Sequence, residues 1–146
     1  MAGFGITSHG AKQPCPCGGG SYASCCRPLH RQERAAATAE QLMRSRYSAF
    51  ALAEIDHLLR TQPSSEPLPQ RRRSLESTCR QLHWRCLEIL ATEAGGLDDR
   101  EGTVTFAAHY SARGEQGVLR ERSRFGRDGG RADGAWLYLE ALPLSD

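Results

Sequence analysis

Four of the six cysteines lie in one short segment, "PCPCGGGSYASCC", Pro14–Cys26. They are Cys15, Cys17, Cys25 and Cys26. So short a segment cannot bury enough apolar surface to fold alone, so its shape must come from another source. Tetrahedral Zn²⁺ takes four soft ligands at about 2.3 Å, and a C-x-C pair plus a CC pair supplies four. The glycines at 18–20 permit the sharp turn that this requires, because glycine tolerates positive φ. The segment predicts a zinc site.

Two alternatives compete with zinc, namely a pair of disulfides or a set of inert buried thiols. Adjacent Cys25 and Cys26 cannot bridge each other without strain. Clustered thiols in a reducing compartment are more often metal ligands than disulfides. Since a site with four thiolates has no open position for water, we predict a structural zinc rather than a catalytic one. Lys12 and Arg27 flank the cluster as candidate counter-charges, and His30 is either a substitute ligand or an exposed histidine at a turn.

The rest of the chain favours a cytoplasmic protein that does not enter a membrane. The N-terminus has neither a basic n-region nor an apolar h-region, and no run of about eighteen apolar residues occurs. The net charge of +2 is too small to indicate a nucleic-acid partner. Lys12 is the only lysine, so arginines supply all the other basic charges. This abundance of arginine is typical of a genome with biased composition. The run Arg71, Arg72, Arg73 is the best candidate for a phosphate contact, although three charges bind only weakly.

The pattern of apolar residues predicts helices followed by a sheet. Thr38 and Gln41 form a capping-box pattern, and apolar residues recur at helical spacing from there until the breaker-rich loop that begins at Thr61. A shorter helix is expected from Pro69 to Gln81. Four alternating segments then follow at 83–92, 102–112, 117–127 and 135–142, separated by turn-forming stretches. This order predicts an α+β domain in which helices pack on an antiparallel meander of about four strands.

Arg46 falls inside the apolar stripe of the first helix, where a charge needs a partner. Glu121 is the nominated partner, because it shares strand phase with inward-facing residues. Such a pair either fixes the helix on the sheet or lines a ligand pocket. The pocket residues would be Arg46, Tyr47, Trp84, His109 and Glu121. The position of His109 in the alternation of its strand does not decide which face of the sheet it occupies. Cys79 and Cys86 are expected to be core thiols.

Several motifs together resemble the YchJ family of small bacterial metal-binding proteins. They are "CPCGGGSYASCC.PLH", "TAEQLMRSRYSAF", "GTVTFAAHY", and "ERSRF" ahead of "W.Y". The cysteine segment is similar to the SEC-C motif, which also ends the translocase ATPase SecA and binds a partner protein there. The resemblance implies that the four clustered cysteines are zinc ligands. It also implies that the remaining domain has a nuclear transport factor 2-like (NTF2-like) fold, a cone with a cavity.

The chain departs from the family pattern at several positions. The two cysteine pairs are one residue closer together than in SecA, and the chain has no second cysteine knuckle at its C-terminus. Gln62-Pro63 replaces the usual Trp-His after the first helix, and Glu140-Ala141 replaces the Asp-Gly of the last strand. These changes remove the basis for transferring a role to those positions.

The predicted organisation is a flexible N-terminus at 1–13, a zinc knuckle at 14–30 and an NTF2-like α+β domain at 31–146. The first functional hypothesis is a protein-binding module that docks through the knuckle and catalyses nothing. The second is an enzyme or small-molecule binder that uses the cavity near Arg46 and Glu121. The third is association with RNA or the ribosome. The sequence names no ligand and no partner.

Overall fold

The computed structural model describes residues 12–144, so most of the predicted flexible N-terminus lies outside the described residues. Helices come first and a sheet follows, as predicted. The elements are α1 (Arg27–His30), α2 (Ala39–Leu52), α3 (Ile55–Arg60), α4 (Leu68–Gln81), β1 (His83–Ala94), β2 (Glu101–Ala112), β3 (Glu115–Arg127) and β4 (Trp136–Leu142), with 3-10 turns at Tyr22–Ser24 and Asp128–Gly130. Within the described range, no helix has the length and apolarity needed to cross a membrane.

Helix α2 begins where the capping pattern predicts. Thr38 has an extended backbone, and its Oγ1 accepts a hydrogen bond from the Gln41 N–H at 3.1 Å. The Gln41 side chain reaches back to the N–H of Ala37 at 2.8 Å, one residue further than in a standard capping box. Two of the donors left free at the start of the helix are therefore satisfied, which fixes the first turn of α2.

The predicted continuous helix up to Thr61 is wrong, because α2 ends at Leu52 and Ala53 turns the chain before α3. This residue is left-handed, with φ 59°, and the Glu54 N–H donates to the Ala49 carbonyl at 2.8 Å. A left-handed residue with this bond is a common helix end, although glycine usually occupies it. The apolar pattern continues across the break because Ile55 and Leu58 of α3 are also buried. Periodicity alone could not reveal the turn.

The sheet is an antiparallel meander in the order β1-β2-β3-β4, as predicted. Its inner face carries Val104, Phe106 and Phe125, which are buried together with Leu42 and Tyr47 of α2. Three of the clustered cysteines belong to the same buried cluster. The hydrophobic core therefore extends from the sheet through α2 to the cysteine segment.

The left-handed Ala53 leads to a stability prediction. Replacing Ala53 with glycine is expected to raise the free energy of unfolding by about 0.5–1 kcal/mol, because glycine adopts positive φ without the steric cost of a Cβ. The matched control is Ala51→Gly inside α2, which should lower it by about 0.5–1 kcal/mol. Urea denaturation measures both. Destabilisation of equal size by the two substitutions would contradict the assignment of strain at Ala53.

Candidate metal centre and internal cavity

The four clustered cysteines converge on one point. Their Sγ atoms all lie within 4.8 Å of one another. The Cys17–Cys25, Cys17–Cys26 and Cys25–Cys26 sulfur distances are 3.5, 3.7 and 3.9 Å. A tetrahedron of sulfurs at 2.3 Å from a zinc ion has edges of about 3.8 Å. The four cysteines therefore form a cluster with the donor chemistry and spacing to hold one metal ion.

Glycines shape the turn between the two cysteine pairs, as predicted. Gly18 and Gly20 have φ of 86° and 111°, and the Cys15 N–H donates to the Gly20 carbonyl at 2.7 Å. Gly19 serves a different purpose. A Cβ on Gly19 would lie 2.9 Å from the Cys25 Sγ and 3.3 Å from that of Cys17. The missing side chain at Gly19 thus leaves the space that the sulfurs occupy.

Burial and hydrogen bonds among the thiols determine the protonation of the cluster. Hydrogen bonds from the Cys17 and Cys26 thiols lower the pKa of Cys15. Burial raises the pKa of Cys25 to about 12, and hydrogen bonds with Cys15 and Cys17 raise the pKa of Cys26. Without a metal, Cys25 and Cys26 are therefore thiols rather than thiolates near neutral pH. A metal ion that binds all four must displace those protons, so binding releases protons to solvent.

Two arginines beyond the flanking Lys12 and Arg27 also lie beside the cluster. Arg44 Nη1 donates to the Cys17 carbonyl at 2.8 Å, and Arg34 Nη2 donates to the Cys25 carbonyl at 3.4 Å. The side chains of Lys12 and Arg27 make no hydrogen bond or ion pair with any residue from 12 to 144. Arg44 lies 18 residues beyond Cys26, so inspection of the flanks could not identify it, whereas Arg34 follows Cys26 by only eight residues.

The cysteine segment packs directly on α2. The Cys15 Sγ lies 3.4 Å from the Oγ of Ser48, a residue with 0% exposure. Ser48 is small enough to let the sulfur approach the helix, and its hydroxyl is a polar partner for it. The cysteine segment is therefore part of the folded domain rather than a separate appendage.

His30 is neither a metal ligand nor exposed, so both predictions for it are wrong. It is 6% exposed, and each of its ring nitrogens has a partner. The Tyr22 hydroxyl donates to Nδ1 at 2.8 Å, and Nε2–H donates to the Ser45 carbonyl at 2.8 Å. Because Tyr22 lies between the cysteine pairs and Ser45 lies on α2, His30 bridges the cysteine segment to the helix.

A second buried histidine, His57, was missed by the sequence analysis. Its ring centroid lies 4.9 Å from that of His30, its Nε2 lies 2.8 Å from the Ser45 Oγ, and Arg60 donates to its Nδ1 at 3.2 Å. Burial, followed by the charges of His30, Arg60 and Arg46, lowers the pKa of His57 to about 3. Burial also lowers the pKa of His30. Both histidines are neutral in the folded protein near neutral pH.

Acid should therefore lower the free energy of unfolding, because His57 is buried in its neutral form. In the unfolded chain its pKa returns to the ordinary 6.5. Below that pH the unfolded state binds the extra proton, so the free energy of unfolding falls between pH 6.5 and about 3 by up to about 1.4 kcal/mol per pH unit. Above pH 6.5 this contribution is fully present. Denaturation as a function of pH should show a shallower loss for His57→Gln than for the wild type.

The control for this experiment is His83→Gln, since His83 is exposed at the start of β1. Its pH dependence should match that of the wild type. Any effect of acid on the cysteine cluster is common to all three proteins and cancels in the comparison. Equal slopes for His57→Gln and the wild type would contradict the buried neutral histidine.

Gly19 provides a test of the cluster geometry. Gly19→Ala should weaken metal binding on the order of tenfold or more, because its methyl group meets two sulfurs that must stay close together. The control is Gly96→Ala, where the nearest atom to an added Cβ is the Asp99 Oδ2 at 3.4 Å. Competition with a chelator measures the affinity. Unchanged affinity in Gly19→Ala would show that the sulfurs do not occupy this arrangement.

Arg46 is buried as predicted, but its partner is not Glu121. Within residues 12–144 it has no carboxylate within ion-pair distance. It donates to the Leu58 carbonyl at 3.1 Å, the Thr61 Oγ1 at 2.7 Å and the Gln62 Oε1 at 2.9 Å. The predicted direct pair is therefore wrong, because the loop after α3 supplies neutral acceptors that the strand pattern could not reveal.

Tyr138 lies between Arg46 and Glu121. The Arg46 guanidinium carbon is 4.9 Å from the centroid of the Tyr138 ring, close enough for a cation–π interaction. The Tyr138 hydroxyl donates to the Glu121 Oε2 at 2.8 Å, and the Ser123 hydroxyl donates to the same oxygen at 2.6 Å. The two charges are thus connected through an aromatic ring.

Four of the five predicted pocket residues do share one cavity of about 330 Å³. They are Arg46, Tyr47, Trp84 and Glu121. His109 does not line it. Its Nε2 lies 2.7 Å from the Glu88 Oε1 in a half-exposed pair, and it borders a different depression with Cys86 and Tyr110.

Two further predictions concern exposed residues. Of the arginine run, Arg71 donates to the Gln62 carbonyl at 2.7 Å and Arg72 pairs with Asp56 at 2.8 Å, which leaves only Arg73 exposed without such a contact in the described chain. Cys86 is exposed rather than a core thiol. A register shift between Trp84 and Cys86 breaks the alternation of β1 there, and such irregularities are invisible in the apolar pattern.

Comparison with known proteins agrees with this architecture. A family model described as "YchJ, middle NTF2-like domain" matches residues 38–141. A UPF0225 protein of Streptomyces coelicolor is 47% identical over 129 residues, covering 87% of this chain and 93% of its own. A UPF0225 protein of Chromobacterium violaceum is 42% identical over 134 residues, covering 90% and 94%.

Two solved structures share the fold, and both are described as SEC-C motif containing proteins. A SEC-C motif containing protein from Rhodopseudomonas palustris has a TM-score of 0.71 and 31% identity, over 91% of this chain and all of that one. One from Psychrobacter arcticus has a TM-score of 0.72 and 25% identity, over 92% and 86%. The fold and the cluster define an α+β protein with an NTF2-like domain and an N-terminal cysteine cluster. The chain belongs to the YchJ (UPF0225) family, as its sequence motifs predict.

Proposed function

We propose that this chain is a zinc protein whose four-cysteine site is structural. The observation that supports this most directly is that the three sulfur distances among Cys17, Cys25 and Cys26 match the edges of a tetrahedron around one ion, with the Cys15 sulfur within 4.8 Å of all three. Cys15, Cys17 and Cys26 are buried and Cys25 is half-buried. Four protein thiolates fill every position of a four-coordinate ion, so neither water nor substrate can bind to the metal. Metal chemistry at this site therefore serves the fold.

Zinc is favoured over a centre with several irons by the size of the cluster. Four thiolates in tetrahedral geometry suit zinc or iron–sulfur centres. Sulfurs that all lie within 4.8 Å of one another surround a single ion, and leave no room for an assembly of several irons and sulfides. A bound Zn²⁺ would hold the two cysteine pairs together, while Cys15 and Tyr22 carry that constraint to α2 and His30.

The first test is metal analysis of protein purified without added zinc. We expect one zinc per chain, and loss of the metal in the double variant Cys25→Ser, Cys26→Ser. The variant should also melt several degrees lower, because metal binding energy contributes to folding. The matched control replaces the other two cysteines, Cys79→Ser and Cys86→Ser, and should keep its zinc. A wild type that is folded and free of zinc would contradict the proposal.

Docking of a protein partner at the cluster is a further proposal, supported by the resemblance to SEC-C motifs. A groove beside Cys25 and Cys26 has a volume of about 510 Å³. Exposed large apolar residues mark a docking surface, and those found in the described chain lie elsewhere. They are Leu68, Leu90, Leu97, Val118, Leu119 and Leu144. The structural role of the cluster therefore has more support than a docking role.

Binding of RNA or the ribosome has less support, since Arg71 and Arg72 are already engaged within the protein. Salt-dependent retention on nucleic acid that is abolished by replacing Arg71, Arg72 and Arg73 with alanine would be needed to establish it. A cytoplasmic location is part of our proposal, because free, clustered cysteines suit a reducing compartment.

A further inference from the structure

The internal cavity lies between the inner face of the sheet and helices α2 and α4, away from the cysteine cluster. Its volume of about 330 Å³ is within the range of about 300–1,000 Å³ typical of small-molecule sites. None of the four clustered cysteines lines it. The cavity and the cysteine cluster are therefore two separate sites.

Aromatic residues form one wall of the cavity. Tyr47, Trp84 and Phe106 reach it from α2, β1 and β2. Tyr47 and Trp84 are arranged edge-to-face, with ring centroids 5.9 Å apart, so each holds the other in place. A rigid aromatic wall favours a ligand with a flat apolar body.

The lining also carries polar groups whose hydrogen-bonding capacity is only partly used within residues 12–144. Arg46 makes three hydrogen bonds, fewer than the five N–H groups that a guanidinium offers. Gln62 uses its Oε1 to accept from Arg46, which leaves its NH₂ group to donate. Both hydrogen bonds to Glu121 go to Oε2, which leaves Oε1 to accept. Donors and an acceptor are thus available in the same cavity, on either side of the Tyr138 ring.

Charge selects between ligand classes. The Arg46 guanidinium and the Glu121 carboxylate line the same cavity and have opposite signs. Burial lowers the pKa of Arg46 to about 10, so it remains a cation at neutral pH. An ionic ligand of either sign meets one like charge in this cavity. A neutral ligand that carries both an acceptor and a donor satisfies both sides without that repulsion.

We propose that this cavity binds a small neutral molecule with a flat apolar body and an amide-like edge. Its carbonyl oxygen accepts from Arg46 and Gln62, and its N–H donates to Glu121. Its ring packs on Tyr47 and Trp84. Carboxamides and the pairing edges of nucleobases have this chemistry.

The two tryptophans allow binding to be observed at the site and away from it. The Nε1–H of Trp84, which lines the cavity, is buried and has no acceptor in the described part of the chain. Trp136 lies outside the cavity, and its Nε1–H donates to the Ala37 carbonyl at 3.1 Å. In a nitrogen–proton spectrum of the whole zinc-loaded chain, the two indoles give separate signals.

The probes are benzamide, benzoate and benzylamine, which share a ring and differ in charge. Benzamide should shift the Trp84 indole signal saturably, with a dissociation constant on the order of 1 mM for so small a molecule. Benzoate and benzylamine should bind at least about fivefold more weakly, and the Trp136 signal should stay in place. No saturable shift with benzamide, or equal binding of an ion, would overturn the proposal.

Variants then test the assigned contacts. Leu119 is 41% exposed at the cavity edge, so Leu119→Tyr should keep the fold and reduce benzamide binding about tenfold or more. Its control is Val118→Tyr, at a neighbouring residue that is 45% exposed and borders the other face. Glu121→Gln should weaken benzamide binding several-fold and strengthen benzoate binding, because it removes the like charge. If Glu121→Gln binds both probes as the wild type does, the proposed hydrogen bond from the ligand N–H to Glu121 is wrong.

Discussion

Helix α2 is buried on nearly every side, and its polar residues therefore need partners inside the protein. Ser48 meets the cysteine cluster, Ser45 meets the two histidines, and Arg46 meets the loop after α3. Each element around α2 satisfies a different polar side chain of the helix. The metal centre and the cavity lie on different sides of this one helix, so the positions of both depend on how α2 is seated.

Much of the fold is predictable because it follows from local patterns. The four strands occur within about two residues of their predicted ends, because each has a buried face and a clear turn on either side. The cap at Thr38 acts over three residues and is visible as a motif. The four cysteines are predictable because their spacing and residue type together specify the chemistry. The burial of Arg46 follows from its place in the apolar stripe.

The sequence misses features that depend on long-range geometry. Tyr138 lies between Arg46 and Glu121, and no periodicity relates a β4 residue to a helix nearly a hundred residues earlier. The burial of His30 depends on Tyr22 and on a carbonyl of α2, which form a pocket only after folding. The exposure of Cys86 results from one irregularity in strand register. In each case the deciding partner is distant in sequence.

Helix α4 contains no fully buried residue, although it borders the cavity at its C-terminal end. Its attachment includes Arg71 to the Gln62 carbonyl and the surface pair of Arg72 with Asp56, which contributes little. A segment with so little buried surface unfolds locally at a lower free energy than the domain as a whole. The backbone amides of α4 therefore exchange with solvent before those of β2 and β3.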